Sequence, residues 1–398
     1  MELLDVYDDY GKPINKIVKR GSPDSCFSKG EYIGVAIIYI ENSNGKFLIQ
    51  KMSKIKGGLY CSTGGHIDHG ENPVDAIIRE TKEEIGLDIS KENYLNLGFV
   101  HFDFPIRYIF YLKKDIDINS LSLQKEEVES VGFMSIDEIN RLIEEGKMHE
   151  AHSKVFKILP GLIKRKKQFD NDKFVLYSPE SLNYITKDMD LILDDSINLY
   201  KRLFDVESFR KIQINYFDNL NDFKEFIYAL RGESESLPSY AKGTFDNGMI
   251  NAFIRDDIDI NSNMFIKKKY NVSHELFHIM YQELVWGNSY KRIVWFDEGM
   301  AQFFSGEYSY LNEKDFKEWF RELISNTKKI PSLNNLNHKT GFETDEYSGY
   351  KLSFLAVKYL FERLGFEEFK SLIKDEKRIL NYGESVLEEA IDYYKKIL

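Results

Sequence analysis

The 398-residue sequence has only two cysteines, Cys26 and Cys61, only eight prolines, and no excess of positive charge. Two thiols cannot build a disulfide framework. So few prolines, with no low-complexity segment or internal repeat, exclude a fibrous or proline-rich chain. No window approaches the roughly 18 apolar residues of a membrane span. The opening MELLDVYDDYGKP is acidic and lacks the basic and apolar regions of a signal peptide. The expectation is cytoplasmic residence with no membrane partner. A net charge of −11 without a clear basic patch argues against a nucleic-acid backbone as partner. What is present is ordinary for a globular protein, with 42% hydrophobic and 30% charged residues. The length favours two or three domains over one.

Residues 1–30 are turn-rich. Tyr32–Ile40 and Lys46–Lys51 read as strands joined by a hairpin turn at Asn42–Gly45. Further strands are expected at Tyr94–Asp103, Arg107–Leu112 and Val128–Met134, and helices at Ile136–Glu145 and His149–Ile163. Between them, residues 65–87 read GHIDHGENPVDAIIRETKEEIGL. Pro73 can open a helix, because its missing N–H would be unpaired there. Val74, Ala76, Ile77, Ile78 and Ile85 give that helix a buried side. Glu80, Glu83 and Glu84 then share one face, where like charges repel. Clustered carboxylate oxygens suit Mg²⁺, which relieves that repulsion. A solvated acidic face would also carry these charges, but it would not require Gly65, Glu71, Arg79 and Gly86 at fixed offsets.

That spacing resembles the Nudix box, G-x5-E-x7-R-E-U-x-E-E-x-G-U, where U is usually aliphatic. Every fixed position matches, and Thr81 stands where an aliphatic residue is commoner. The resemblance implies an α/β/α sandwich over residues 1–165 that hydrolyses a nucleoside diphosphate derivative with Mg²⁺ or Mn²⁺. It makes Glu80, Glu83 and Glu84 the metal ligands, with Glu83 and Arg79 catalytic and Arg79 orienting the carboxylates. Gly65 and Glu71 belong to the loop ahead, on the substrate side. Glu127 is either a further ligand or base, or a plain exposed residue. The opening and the GHIDHGE segment are also similar to isopentenyl-diphosphate isomerase. That enzyme's catalytic cysteine precedes the Gly-His pair; here Gly64 stands there and Cys61 lies three residues earlier. The hydrolase reading is therefore preferred.

The basic run Lys164–Lys167 reads as a solvated helix end that complements the helix dipole. With polar residues after it, 166–172 is expected to be a linker and 173–398 a second domain. That domain reads as α+β. Strands fall at Phe174–Tyr177, Lys211–Tyr216 and Met249–Ile254, with helices at Pro179–Phe204 and Asp222–Leu230. The remainder is mostly helical, at 272–284, 294–305, 313–325, 347–363, 366–374 and 384–396.

His274-Glu275-Leu276-Phe277-His278 places two imidazoles one helical turn apart, with Glu275 between them. That geometry suits Zn²⁺ and a base acting on its water. About twenty residues on, Trp295-Phe296-Asp297-Glu298-Gly299-Met300-Ala301 resembles the W-x-x-E-G-x-A segment of gluzincins, the thermolysin- and aminopeptidase-like metallopeptidases. The resemblance makes His274, His278 and Glu298 zinc ligands, Glu275 the base, and a peptide or protein the substrate. Gly299 and Ala301 would let the second helix pack closely on the first. Tyr350, with Tyr347 as alternative, takes the place of the oxyanion tyrosine. Residues 241–250 look like the loop and edge strand over the cleft, where a peptide could add as a strand. Two readings of the whole remain: a bifunctional hydrolase, or a nucleotide-binding module regulating a zinc peptidase.

Overall fold

The computed structural model describes residues 2–102, 104–232, 243–255, 258–289, 291–337 and 342–398. Its strands are β1 (Leu3–Tyr7), β2 (Pro13–Lys19), β3 (Tyr32–Glu41), β4 (Phe47–Met52), β5 (Tyr60–Cys61), β6 (Thr63–His66), β7 (Leu95–Val100), β8 (Ile106–Lys113), β9 (Val128–Met134), β10 (Arg165–Asp170), β11 (Phe174–Pro179), β12 (Ile212–Phe217), β13 (Gly243–Asp246) and β14 (Met249–Phe253). Its helices are α1 (Pro73–Ile85), α2 (Ile136–Glu144), α3 (Glu150–Ile163), α4 (Asn183–Thr186), α5 (Met189–Phe204), α6 (Leu220–Arg231), α7 (Asn263–Lys269), α8 (Asn271–Met280), α9 (Val294–Ser305), α10 (Glu313–Asn326), α11 (Gly349–Ile373) and α12 (Glu376–Ile397). Two compact units emerge. One comprises Met1–Asn183, Arg210–Ala241 and Phe245–Arg255; the other comprises Tyr184–Phe209, Lys242–Thr244 and Asp256–Leu398.

The first unit is built around β3, which pairs antiparallel with β1 and β6 and parallel with β8. Successive side chains of a strand face opposite ways. Ala36, Ile38 and Ile40 pack with Ala76, Ile77 and Ile85 of α1. Ile37 and Tyr39 face the other way, towards Val155, Phe156 and Leu159 of α3. Burial on both faces explains why β3 reads as a continuous apolar run. The result is the α/β/α arrangement that the resemblance implies. Residues 1–30, expected as turns, contribute the hairpin β1–β2.

The expected linker is not one. Residues 165–170 form β10, antiparallel to β11. Arg165 is 1% exposed, with its guanidinium carbon 4.9 Å from the Phe217 ring centre and 5.6 Å from that of Phe226. Lys166 and Lys167 point outward to Glu180 and Asp170. One residue of the basic run is thus a core residue, and composition hid the strand. The sheet continues as β10-β11-β12-β14-β13. Phe217, Phe223, Phe226, Ile227, Leu230, Met249 and Phe253 join the same apolar cluster as α3. Gln213 reaches the backbone of Phe99, accepting from its N–H at 2.9 Å and donating to its carbonyl at 3.0 Å. Residues beyond 165 therefore share a core with the N-terminal sandwich.

The second unit is helical. The helix expected over Pro179–Phe204 is broken into a short turn, α4 and α5. The helices expected at 347–363 and 366–374 form α11, kinked where Gly365 takes a φ of 72°. Gly299 of α9 packs against α11 and not, as expected, against the histidine helix: a Cβ there would lie 2.5 Å from the Ser353 carbonyl oxygen and 2.7 Å from Val357. Among the described residues no helix is long and apolar enough to cross a membrane.

Candidate functional site

Helix α1 is set by local chemistry. Asn72 caps it by accepting from the N–H groups of Val74 and Asp75, and Gly86 ends it in the left-handed region at φ 71°. Thr81, the one departure in the box, is fully buried and satisfies its hydroxyl on the Ile77 carbonyl at 2.5 Å. The opposite face carries the acids. Arg79 gathers them. Its Nε and Nη2 donate to Glu71 at 3.0 and 2.9 Å, and its Nη1 to Glu80 at 2.8 Å and Glu83 at 3.2 Å. A further bond from Nη2 to the His66 carbonyl, 2.9 Å, ties the helix to β6. The bond to Glu71 is the first cause holding Arg79 charged, above its ordinary pKa. Glu84 is 9% exposed and accepts from Gln50 Nε2 at 2.9 Å and from the Gly64 N–H at 3.3 Å. Burial pushes its carboxyl up to about 7, and raises Glu80 as well.

Arg79, Glu80, Glu83 and Glu84 line a cavity of about 510 Å³ together with Gln50, Cys61, Arg107, Glu127, His149 and His152. Glu127 is ion-paired to Lys56 at 2.7 Å at the cavity edge. Gly65 is needed for space: a Cβ there would lie 2.3 Å from the Glu80 carboxylate. Gly64 is more tightly constrained, because a Cβ would sit 2.2 Å from the Ala36 carbonyl oxygen, a backbone atom that cannot swing aside. The isomerase's cysteine therefore has no room at this position. Cys61 lines the cavity, but burial pushes its thiol up to about 12.

Comparison with known proteins agrees with this geometry. The NUDIX domain family matches residues 31–157. An uncharacterized Nudix hydrolase of Listeria innocua is 31% identical over 150 residues, covering 37% of this chain and 87% of that protein. The chain belongs to the Nudix family. An m7GpppN-mRNA hydrolase of Xenopus laevis is 31% identical over 99 residues, covering 23% of this chain and 33% of that protein. A solved structure from Deinococcus radiodurans is 16% identical, with a TM-score of 0.35, covering 39% of this chain and 98% of that one.

Outside the Nudix domain, α8 and α9 bring His274, His278 and Glu298 together, with one ligand atom from each within 4.8 Å of the others. The two Nε2 atoms are 3.0 Å apart, and Glu298 Oε2 lies 3.4 and 3.5 Å from them. Two ligands on a tetrahedral Zn²⁺ stand about 3.3 Å apart, given zinc–nitrogen bonds of about 2.05 Å. The donor set therefore fits zinc. Each Nδ1 meets a carboxylate: Asp297 at 2.7 Å for His278 and Glu307 at 3.3 Å for His274. Such partners leave Nε2 free to coordinate. Arg292 spans both acids of α9, at 2.6 Å from Asp297 and 2.5 Å from Glu298. Although burial alone would lower it, Asp297 and Glu298 hold His278 up to about 9. Burial raises the Glu275 carboxyl.

Other expected residues fall as follows. A Cβ on Gly243 would lie 2.8 Å from Glu275 Oε1, so β13 begins beside that acid. Residues 241 and 242, the rest of the expected loop, lie outside the described residues. Tyr350 opens α11 with its ring 4.8 Å, centre to centre, from Phe342. Asp297, Glu307, Arg292, Gln50, Arg107 and His152 were not singled out from sequence. Only Asp297, beside the expected ligand Glu298, had a signal within a matched segment.

Proposed function

We propose that the Nudix domain hydrolyses a nucleoside diphosphate-linked substrate with Mg²⁺ or Mn²⁺ held by Glu80, Glu83 and Glu84. The observation that carries this is the gathering of Glu71, Glu80 and Glu83 around the single guanidinium of Arg79, beside a cavity that Glu80, Glu83 and Glu84 line. Burial raises the pKa of two of the acids, Glu80 and Glu84, and a bound cation would oppose that shift. A divalent ion supplies Lewis-acid polarisation and orients the phosphates when bound. Arg79 aims the carboxylates, and Gly65 leaves room for that of Glu80. Glu83→Gln should lower metal-dependent turnover by about a hundredfold or more while leaving the melting temperature near wild type. The panel should hold dinucleoside polyphosphates, nucleotide sugars, nucleoside triphosphates and capped RNA. Binding without release of phosphate or monophosphate would instead support the regulatory reading.

We further infer that the C-terminal unit is a gluzincin-like zinc peptidase. The convergence of His274, His278 and Glu298 supports this reading, together with the fit of their spacing to zinc. Zinc supplies Lewis-acid chemistry at a peptide carbonyl when bound. Glu275 takes the proton of the attacking water and passes it to the leaving amine. Tyr350 is assigned to the oxyanion. His278→Ala should lose the metal, whereas Glu275→Gln should keep it and lose peptide cleavage. Zinc retained at full stoichiometry in His278→Ala, or full cleavage in Glu275→Gln, would end this assignment.

A further inference from the structure

The cavity that holds the three glutamates has a second wall, formed by Val35, Ile37, Arg107, Ala151 and His152. The surroundings of His152 decide its tautomer. The Ser62 backbone N–H donates to Nδ1 at 3.2 Å, and the Tyr39 hydroxyl lies 3.4 Å from the same nitrogen. A backbone N–H can only donate, so Nδ1 carries the lone pair. Burial pushes the ring's pKa down to about 3, so it is neutral at physiological pH with its one proton on Nε2. Nδ1 is thus engaged, whereas Nε2 has no hydrogen-bond partner among the described residues. The ring is held in place by Tyr39 and His149, with centres at 6.3 and 5.7 Å. Arg107 is 3% exposed and anchored by the Pro105 carbonyl at 2.8 Å and the face of Phe102. Its charge bears on the His152 ring. His152 thus presents an N–H, and Arg107 adds a positive charge beside it; both favour an acceptor.

We propose that His152 Nε2–H, beside Arg107, reads a hydrogen-bond acceptor on the part of the nucleotide that lies away from the three glutamates. This rests on the nucleotide reading of the cavity. Two acceptors have the required chemistry: a phosphate oxygen further along the chain, and the N7/O6 edge of an oxo-purine. Adenine presents a donor beside its N7 and fits the pair less well.

The test uses the full-length protein and equilibrium binding of α,β-methylene GTP, its 7-deaza counterpart and α,β-methylene GDP, with Mg²⁺ present. His152→Phe should weaken α,β-methylene GTP binding about tenfold, the loss of one hydrogen bond. His152→Gln, which restores an amide N–H, should regain most of it. If the acceptor is N7, the 7-deaza probe costs the wild type the same factor and costs His152→Phe nothing further. If it is a phosphate, 7-deaza is neutral and shortening to the diphosphate has that effect. Unchanged binding by His152→Phe overturns the proposal. So does a loss that neither probe change absorbs and Gln does not recover. A wild type that binds but does not turn over nucleotides leaves the proposal standing and removes the hydrolase reading. A wild type that binds none of the probes removes the proposal.

Discussion

Ending the chain at Ile163, after the last residue of α3, should abolish independent folding of the Nudix domain. The cut removes seven buried side chains from the apolar cluster that α3 shares with β12, α6 and β14. Their partners on the retained side, among them Phe99, Val155, Phe156, Leu159 and Leu162, would face water. Full burial of one large apolar side chain is worth about 1.5–3 kcal/mol. Half a dozen such exposures, reduced for residual structure in the unfolded chain, cost on the order of 10 kcal/mol. A domain's whole stability is typically about 5–15 kcal/mol. Loss of Gln213 adds to this, because the Phe99 N–H and carbonyl lose their partner. The assay is thermal unfolding followed by far-UV circular dichroism, with amide-proton dispersion by NMR. The expected result is no cooperative melt for 1–163, and one for a chain ending at Arg255. A cooperative melt of 1–163 within about 5 °C of the longer chain would refute the shared-core argument.

Two other predictions concern charge. Burial raises the Glu84 carboxyl from 4.5 to about 7. Its contribution to stability is therefore full below pH 4.5 and lost as the pH rises through 7, a change of about 3 kcal/mol. Chemical denaturation of metal-free protein should show that slope, Glu84→Gln should flatten it, and an unaltered slope in the variant would count against Glu84 as its source. Arg292→Ala should weaken zinc binding by about 10–100-fold, measured by competition with a chelator, because Glu298 and Asp297 lose the group that aims them; unchanged affinity would show that the ligands hold themselves in place.

Where a candidate site depends on helical periodicity, the sequence was enough to place it. Glu80 and Glu84, or His274 and His278, share a face because the backbone turns once in 3.6 residues, whatever surrounds it. Pro73 marked the start of α1 for an equally local reason, and the structure adds Asn72 as its cap and Gly86 as its end. The run Tyr32–Ile40 announced a strand, and the structure adds that β3 is covered on both sides.

Contacts between residues distant in sequence were settled only by packing. No pattern in Lys164–Lys167 says that Arg165 alone turns inward onto Phe217 and Phe226, since both rings arrive some fifty or more residues later. The same holds for Gln213 on Phe99, for Gln50 on Glu84, and for Glu307 on His274. His152 could be read as a helical residue. That its Nδ1 is occupied by Ser62, leaving the proton on Nε2, follows from where α3 lies against β5 and β6. Local sequence fixes which atoms a helix presents; the partners that set their charge, tautomer and aim come from whichever segments the core brings beside it.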